Sequence, residues 1–160
     1  MSPSHLYIGL LVSALLVRVQ QDPDPFSTDP IQALEVWRAI KRSLSATNGQ
    51  DYWKQDIKGT LIPGGAAGVN CFRGFVISSK PTKLPNVIVL GILDKKIPEV
   101  ELRFLDRNRS PVHLEDSFPN GTEVQFQGVA VDFVREPFRV IFQVDPSWIT
   151  ISKGWSSESR

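Results

Sequence analysis

Gly121-Thr-Glu-Val-Gln-Phe-Gln-Gly-Val-Ala-Val-Asp-Phe-Val-Arg-Glu-Pro-Phe-Arg-Val-Ile-Phe-Gln-Val144 contains two runs in which apolar residues recur at every second position, divided by Arg135-Glu136-Pro137. A period of two is the spacing of side chains along one face of a β-strand. Val124, Phe126, Gly128 and Ala130 therefore form one apolar row, and Phe138, Val140, Phe142 and Val144 form a second that meets it in a core. Pro137 has no amide hydrogen and limits ladder pairing at the connection. The stretch reads as scaffold, two strands of a β-rich fold whose buried side is set by the alternation.

Working outward, the same alternation predicts strands over residues 69–79, 87–93 and 100–105, which with 122–133 and 138–144 makes five. Val100-Glu-Leu-Arg-Phe-Leu105 alternates apolar with charged residues, so one face is expected in a core and the other in water. Turns are expected over 78–85, 94–98 and 118–121, the last closed by Asn120-Gly121. Gly74, Gly91 and Gly128 fall inside the predicted strands, and glycine permits the bends that closing a small barrel requires. A two-sheet sandwich would need more strands. Upstream, residues 52–62 read as a lead-in to the sheet and 61–69 as a glycine-rich connection, since no Gly-Lys-Ser/Thr or Gly-x-Gly-x-x-Gly pattern marks a phosphate loop.

One helix precedes the strands. Asp29 is placed to cap it and Pro30 suits its first position, while Ile31, Leu34, Trp37, Ile40 and Leu44 recur near helical spacing. Asn48-Gly49 is expected to end it, because both residues tolerate the left-handed conformation. Lys41 and Arg42 read as a solvated face that complements the helix dipole rather than as a phosphate site.

The series Phe72-Arg-Gly-Phe-Val-Ile-Ser-Ser-Lys-Pro81, Ile88-Val-Leu-Gly-Ile-Leu-Asp94, Pro98-Glu-Val-Glu-Leu-Arg-Phe104 and Pro119-Asn-Gly-Thr-Glu-Val-Gln-Phe-Gln-Gly-Val129 resembles the OB-fold, in particular its tRNA-anti-like branch. The shared themes are Gly-x-Val-x-Ser on the first strand and Gly-Thr-x-Val-x-Phe-x-Gly on the fourth. The chain is also similar to uncharacterised exported bacterial proteins, some associated with tetratricopeptide repeats, that share the Pro-Phe-x-Val-x-Phe-x-Val ending seen from Pro137 to Val144. The resemblance spans roughly residues 50–150 and carries no catalytic residue with it. It implies a mainly β chain: a small five-stranded OB-like β-barrel with one amino-terminal helix packed on it.

Residues 6–17 form an uncharged apolar run, followed at once by the acidic, proline-rich Asp22-Pro-Asp-Pro-Phe-Ser-Thr-Asp29. Its length is that of a secretory hydrophobic region and falls short of the ~20 residues of a membrane-spanning helix. The expected organisation is a signal peptide or membrane anchor over 1–21, a linker over 22–29, the helix over 30–49, the barrel over 50–150 and a tail over 151–160. The expected location is exported, periplasmic or membrane-anchored, with membrane contact only through the amino-terminal segment.

Eighteen Lys and Arg against seventeen Asp and Glu leave a formal charge of +1, so no global field steers the chain toward nucleic acid or an anionic surface. Cys71 is the only cysteine, which excludes an internal disulfide and a thiolate cluster within one chain, and reads as a small buried thiol. The two histidines are His5 in the leader and His113 in a loop, too few for a histidine metal site or a Ser-His-Asp triad. Glu99 and Glu101 share a strand face near Asp94, and a solvated polar face accounts for them better than a hydrolytic carboxylate pair. The expectation is therefore a non-catalytic module without metal or cofactor, engaging a protein or a small ligand. Loops following Leu61, Leu93 and Leu105 are where a barrel mouth would meet it. The alternative is single-stranded nucleic acid, for which Arg73, Phe75, Arg103, Arg107 and Arg109 are the candidate contacts, since OB-folds combine basic grooves with stacking aromatics.

Overall fold

In a computed structural model the chain is described over residues 28–152. It begins with helix α1 (Pro30–Ser45), started as its sequence implies: Asp29 Oδ1 accepts from the Ile31 amide at 3.0 Å, and Pro30 fills a first-turn position that needs no donor. The buried face is Ala33, Trp37, Ile40 and Leu44. Ile31, expected in that row, is 73% exposed, because the spacing that admits residue 31 admits residue 33 equally and Ala33 is the one that faces the sheet.

The helix ends at Ser45, four residues before the expected stop, and Gly49 opens a second short helix, α2 (Gly49–Tyr52). A Cβ at Gly49 would lie 2.0 Å from the Leu44 carbonyl oxygen, so glycine is required there by close backbone approach rather than by a left-handed conformation. The expected extended lead-in is also helical: Trp53–Ile57 forms a π-helical turn that buries Trp53 and Ile57.

The strands follow: β1 (Leu61–Ile62), β2 (Phe72–Lys80), β3 (Val87–Gly91), β4 (Val100–Phe104), β5 (Glu123–Phe126), β6 (Gly128–Val134), β7 (Arg139–Val144) and β8 (Ile149–Ile151). They form one curled sheet in the order β1-β6-β7-β4-β3-β2-β5-β8. The described residues are thus mainly β with one long helix, and hold eight strands where five were expected. Two of the additions, β1 and β8, are too short to leave an alternation in the sequence. The third comes from a break in the predicted strand 122–133. Its first part, β5, pairs with β2, its second part, β6, pairs with β7, and only Gln127 separates them.

Gly128 stands at that break, where an added Cβ would meet Phe142 Cβ and Val144 Cγ2 at 3.0 Å. β2, β3 and β4 form an antiparallel meander, and β7 returns to lie parallel to β4.

The core is organised around a chain of aromatic rings. Trp53, Phe133, Phe138, Trp37, Phe72, Phe126 and Phe142 succeed one another with centroid separations of 5.4 to 6.3 Å, mostly edge-on or tilted. Such geometries set the positive edge of one ring against the negative face of the next. Val124, Phe126, Ala130, Val140, Phe142 and Val144 are all buried, as the two alternating rows require. Phe72 opens β2, Ile92 follows β3, Glu99 precedes β4 and Phe138 precedes β7, so these residues gather at one end of the sheet, and α1 lies across that end.

Candidate functional site

Two places concentrate chemistry. The first is the junction under α1. Glu99, expected on a solvated face, is 1% exposed. Its Oε2 accepts from Trp37 Nε1 at 3.1 Å and Lys41 Nζ at 2.9 Å, and its Oε1 accepts from the Ile92 and Leu93 amides at 3.1 and 2.7 Å. Burial alone would raise this carboxyl; Lys41, the Leu93 amide, Trp37 and the Ile92 amide outweigh burial and hold it below its ordinary value. Lys41 is therefore the half-buried partner of a buried carboxylate and not part of a free solvated face, with its ammonium also 5.2 Å from the Phe138 ring centroid. A cavity of about 310 Å³ adjoins the pair, lined by Ile97, Pro98, Pro137, Phe138 and Arg139. Chemically the arrangement is a clamp: one carboxylate with four donors ties α1 to the strand ends.

The second place is a cavity of about 570 Å³ between residues 112–118 of the long β4–β5 connection and residues 146–151. The connection is held in position by local hydrogen bonds. Asp106 accepts from the Asn108 and Ser110 amides, the Leu114 amide donates to the Pro85 carbonyl at 2.8 Å, and His113 Nδ1 lies 2.6 Å from the Leu84 carbonyl. Leu114 and Phe118 turn inward and are buried, while Glu115 and Asp116 stay exposed at the rim. Opposite them, Asp145 caps a 3-10 turn (Pro146–Trp148), accepting from both the amide and the hydroxyl of Ser147. The Ser147 hydroxyl contributes most, followed by its amide, to holding the Asp145 carboxyl below its usual range.

The wall beyond is β8, the last strand of the sheet. The Gln127 amide donates to the Trp148 carbonyl and the Ser152 amide to the Glu123 carbonyl, with Thr150 opposite Gln125 between them. Main-chain groups of 148, 150 and 152 therefore point to β5, and those of Ile149 and Ile151 point away from it. No backbone partner meets them among the described residues. Ile151, opposite the fully buried Val124, is 38% exposed.

The five residues singled out from sequence do not converge. Arg73 and Phe75 lie on the outer face of β2, and Arg103 on the outer face of β4. Arg103 is level with Val87, which is level with Lys80, so it stands roughly 20 Å along the strand direction from Arg73. Each cation has a carboxylate partner: Arg73 pairs with Glu123, and Arg103 Nε donates to Glu101 at 2.6 Å, a carboxylate shared with Arg139. Lys95 sits over the Phe75 ring at 4.7 Å. Arg107 and Arg109 are exposed in the turn beyond β4, Arg109 at φ 62°.

Of the three loops expected to form a mouth, the one after Leu105 lines the larger cavity. Sequence reasoning missed the open edge of β8. The signal near it is the Asp145-Pro146 cap; Ile149-Thr150-Ile151 is too short to establish a period.

Cys71 is fully buried, its Sγ 3.6 Å from Thr28 Oγ1. Among the described residues, no group of three or more His, Cys, Asp or Glu is arranged to hold a metal ion, and no helix is long and apolar enough to cross a membrane. The apolar run 6–17, His5 and Trp155 lie outside the described residues. No family model, curated protein or solved structure matches the chain.

Proposed function

We propose that the chain is a non-catalytic binding or assembly module built on an OB-like barrel, exported or anchored in the cell envelope, with its ligand site at the cavity between residues 112–118 and β8. The observation that carries this reading is the cavity itself: a buried apolar floor of Leu114 and Phe118, an acidic rim, and a wall of strand edge whose outward main-chain groups meet no backbone partner among the described residues. Concave sites with an apolar lining and a few placed polar groups are the usual form of a ligand pocket. The barrel reading is supported by the circuit β2-β3-β4-β7-β6 and back through Gln127 and β5 to β2, which amounts to five strand positions joined end to end. The module reading is supported by how the carboxylates are used: Glu99, Glu101 and Glu123 each bind cations or amides that hold the structure together. The envelope reading rests on the apolar run 6–17.

Two measurements test the proposal. An amide-resolved NMR titration with soluble small fragments should perturb Leu114, Phe118, Ile149 and Ile151 together; shifts scattered over the surface would remove the site. Cell fractionation with intact mass should find the chain outside the cytoplasm, and a full-length cytosolic chain would remove the envelope assignment.

A second reading, single-stranded nucleic acid, is favoured by the outer-face placement of Arg73, Phe75 and Arg103 and by Arg73 Nε, which has no acceptor among the described residues. Ion pairing of both arginines works against it. Salt-dependent binding of oligothymidylate that weakens when Arg73 or Arg103 becomes Ala would establish it.

A further inference from the structure

We infer that the groove between α1 and β1, a site separate from the cavity at residues 112–118, takes a small primary amine, with an apolar body seated on the groove floor and an ammonium directed to Asp56 and the Tyr52 hydroxyl. Its size, its helical phases and its two uncommitted polar groups carry this.

The groove encloses about 440 Å³, inside the roughly 300–1,000 Å³ typical of small-molecule pockets. Three segments meet there. Val36, Ala39 and Ile40 are three and four apart on α1, and Tyr52 and Asp56 are four apart across α2 and the π-helical turn, so each set occupies one helix face. β1 and the chain just after it supply the third side. Ile40, Ile57, Ile62 and Pro63 are buried and make the floor, whereas Leu61 stands 41% exposed at the rim.

Most polar groups along the wall are already used. Thr60 Oγ1 donates to the Ile57 carbonyl at 2.6 Å, the Thr60 carbonyl accepts from the Ala130 amide at 3.1 Å, and the Pro63 carbonyl accepts from the Ala66 amide at 3.0 Å. The Tyr52 hydroxyl and the Asp56 carboxylate have no hydrogen-bond or ion-pair partner among the described residues. They do feel each other: burial first, and then the charge of Asp56, raise the Tyr52 phenol above its ordinary value. The phenol therefore stays neutral and keeps a lone pair for an N–H donor.

Charge selects the head group. A carboxylate only accepts, so the ligand must donate to it, and a cationic donor does so more strongly than a neutral one. Asp56 is the one charged residue lining the groove among the described residues. Lys54 and Lys58, two positions to either side, are exposed, lie outside the lining and form no ion pair with it.

The test is an amide-resolved NMR titration of the full chain with phenethylamine, and with phenethyl alcohol and hydrocinnamate as isosteric controls. The amine should shift Ala39, Ile57, Leu61 and Ala66 together, the alcohol should bind more weakly, and the carboxylate more weakly still. Asp56→Asn should reduce amine affinity by about fivefold, the value of a partly exposed charge pair, and leave the melting temperature unchanged. Ala39→Phe, at an exposed position, sets a ring in the groove and should abolish amine binding.

Equal affinity for the amine and the alcohol, unchanged amine affinity in Asp56→Asn, or shifts confined to other surfaces would overturn the assignment. Nuclear Overhauser contacts from residues 6–17 to Val36 and Leu61 would make the chain's own segment the occupant and would overturn it as well. Each of these results leaves the cavity at residues 112–118 standing, because its fragment shifts fall at Leu114 and Phe118.

Discussion

The junction under α1 and the edge at β8 are two answers to the same problem of what to do with polar groups at the boundary of a sheet. At the junction, Glu99 lies among apolar residues and both its oxygens are occupied, by an indole, an ammonium and two amides. At β8, alternate main-chain groups face outward and an isoleucine of the inner row is partly bare. The first region uses its chemistry on itself, and a ligand would have to displace one of its partners to bind there. The second leaves main-chain groups without a backbone partner among the described residues. A charged cluster is therefore a poor guide to function in this molecule, and an unfinished strand is a better one.

That contrast is testable by substitution, and the largest effect belongs to the shared core between the two regions. Phe126 is fully buried between Phe72 and Phe142 and pairs with Ile149 of β8. Phe126→Asp leaves an uncompensated charge there, and circular dichroism should show no cooperative melting transition. Glu99→Gln comes next. It replaces a carboxylate that accepts from four donors by a neutral amide, while Lys41, 31% exposed, keeps access to water, and should cost about 2 kcal/mol in chemical denaturation.

The same carboxylate predicts an acid limb. Its folded value is lowered, so its contribution is complete above the ordinary 4.5 and is lost as pH falls from there through the folded value. Wild type should lose stability over that window, and Glu99→Gln should show a flatter profile. The smallest effect is expected at the open edge: Ile151→Ser should change stability by about 0.5 kcal/mol or less, because the side chain is already partly in water. If Ile151→Ser proves as costly as Glu99→Gln, the distinction between a finished and an unfinished boundary fails.

Legibility followed the range of the interactions involved. The alternation of Val100-Glu-Leu-Arg-Phe104 and of the rows ending at Ala130 and Val144 places β4 to β7 because strand faces are a local, period-two property. Asp29 and Pro30 gave away the start of α1 for the same reason. β1 and β8 have two and three residues, which is too few for a period. The role of Glu99 was not legible, since its helical partners Lys41 and Trp37 are 58 and 62 residues away and only the folded chain brings them together. Arg73 and Arg103 are two of the five candidate contacts; the structure pairs them with a cross-strand and a same-strand carboxylate, the latter shared with Arg139. At the cavity, the loop after Leu105 was picked out by its position, while the edge that faces it depended on knowing which strand ends the sheet.

The division of segment 123–134 at Gln127 has a consequence for synthesis. β2, β3 and β4 emerge from the ribosome first, and both margins of that meander wait: β2 for residues up to 126 and β4 for residues up to 144. Until β5 appears the nascent chain carries two unpaired borders, and until β7 appears it still carries one, a form prone to stick to other chains. β5 settles the border at β2, and β7, itself paired with β6, settles the border at β4. Vectorial folding of this protein is thus a pause followed by closure in two steps, and a stop codon placed between residues 104 and 123 should yield a chain recovered only as aggregate.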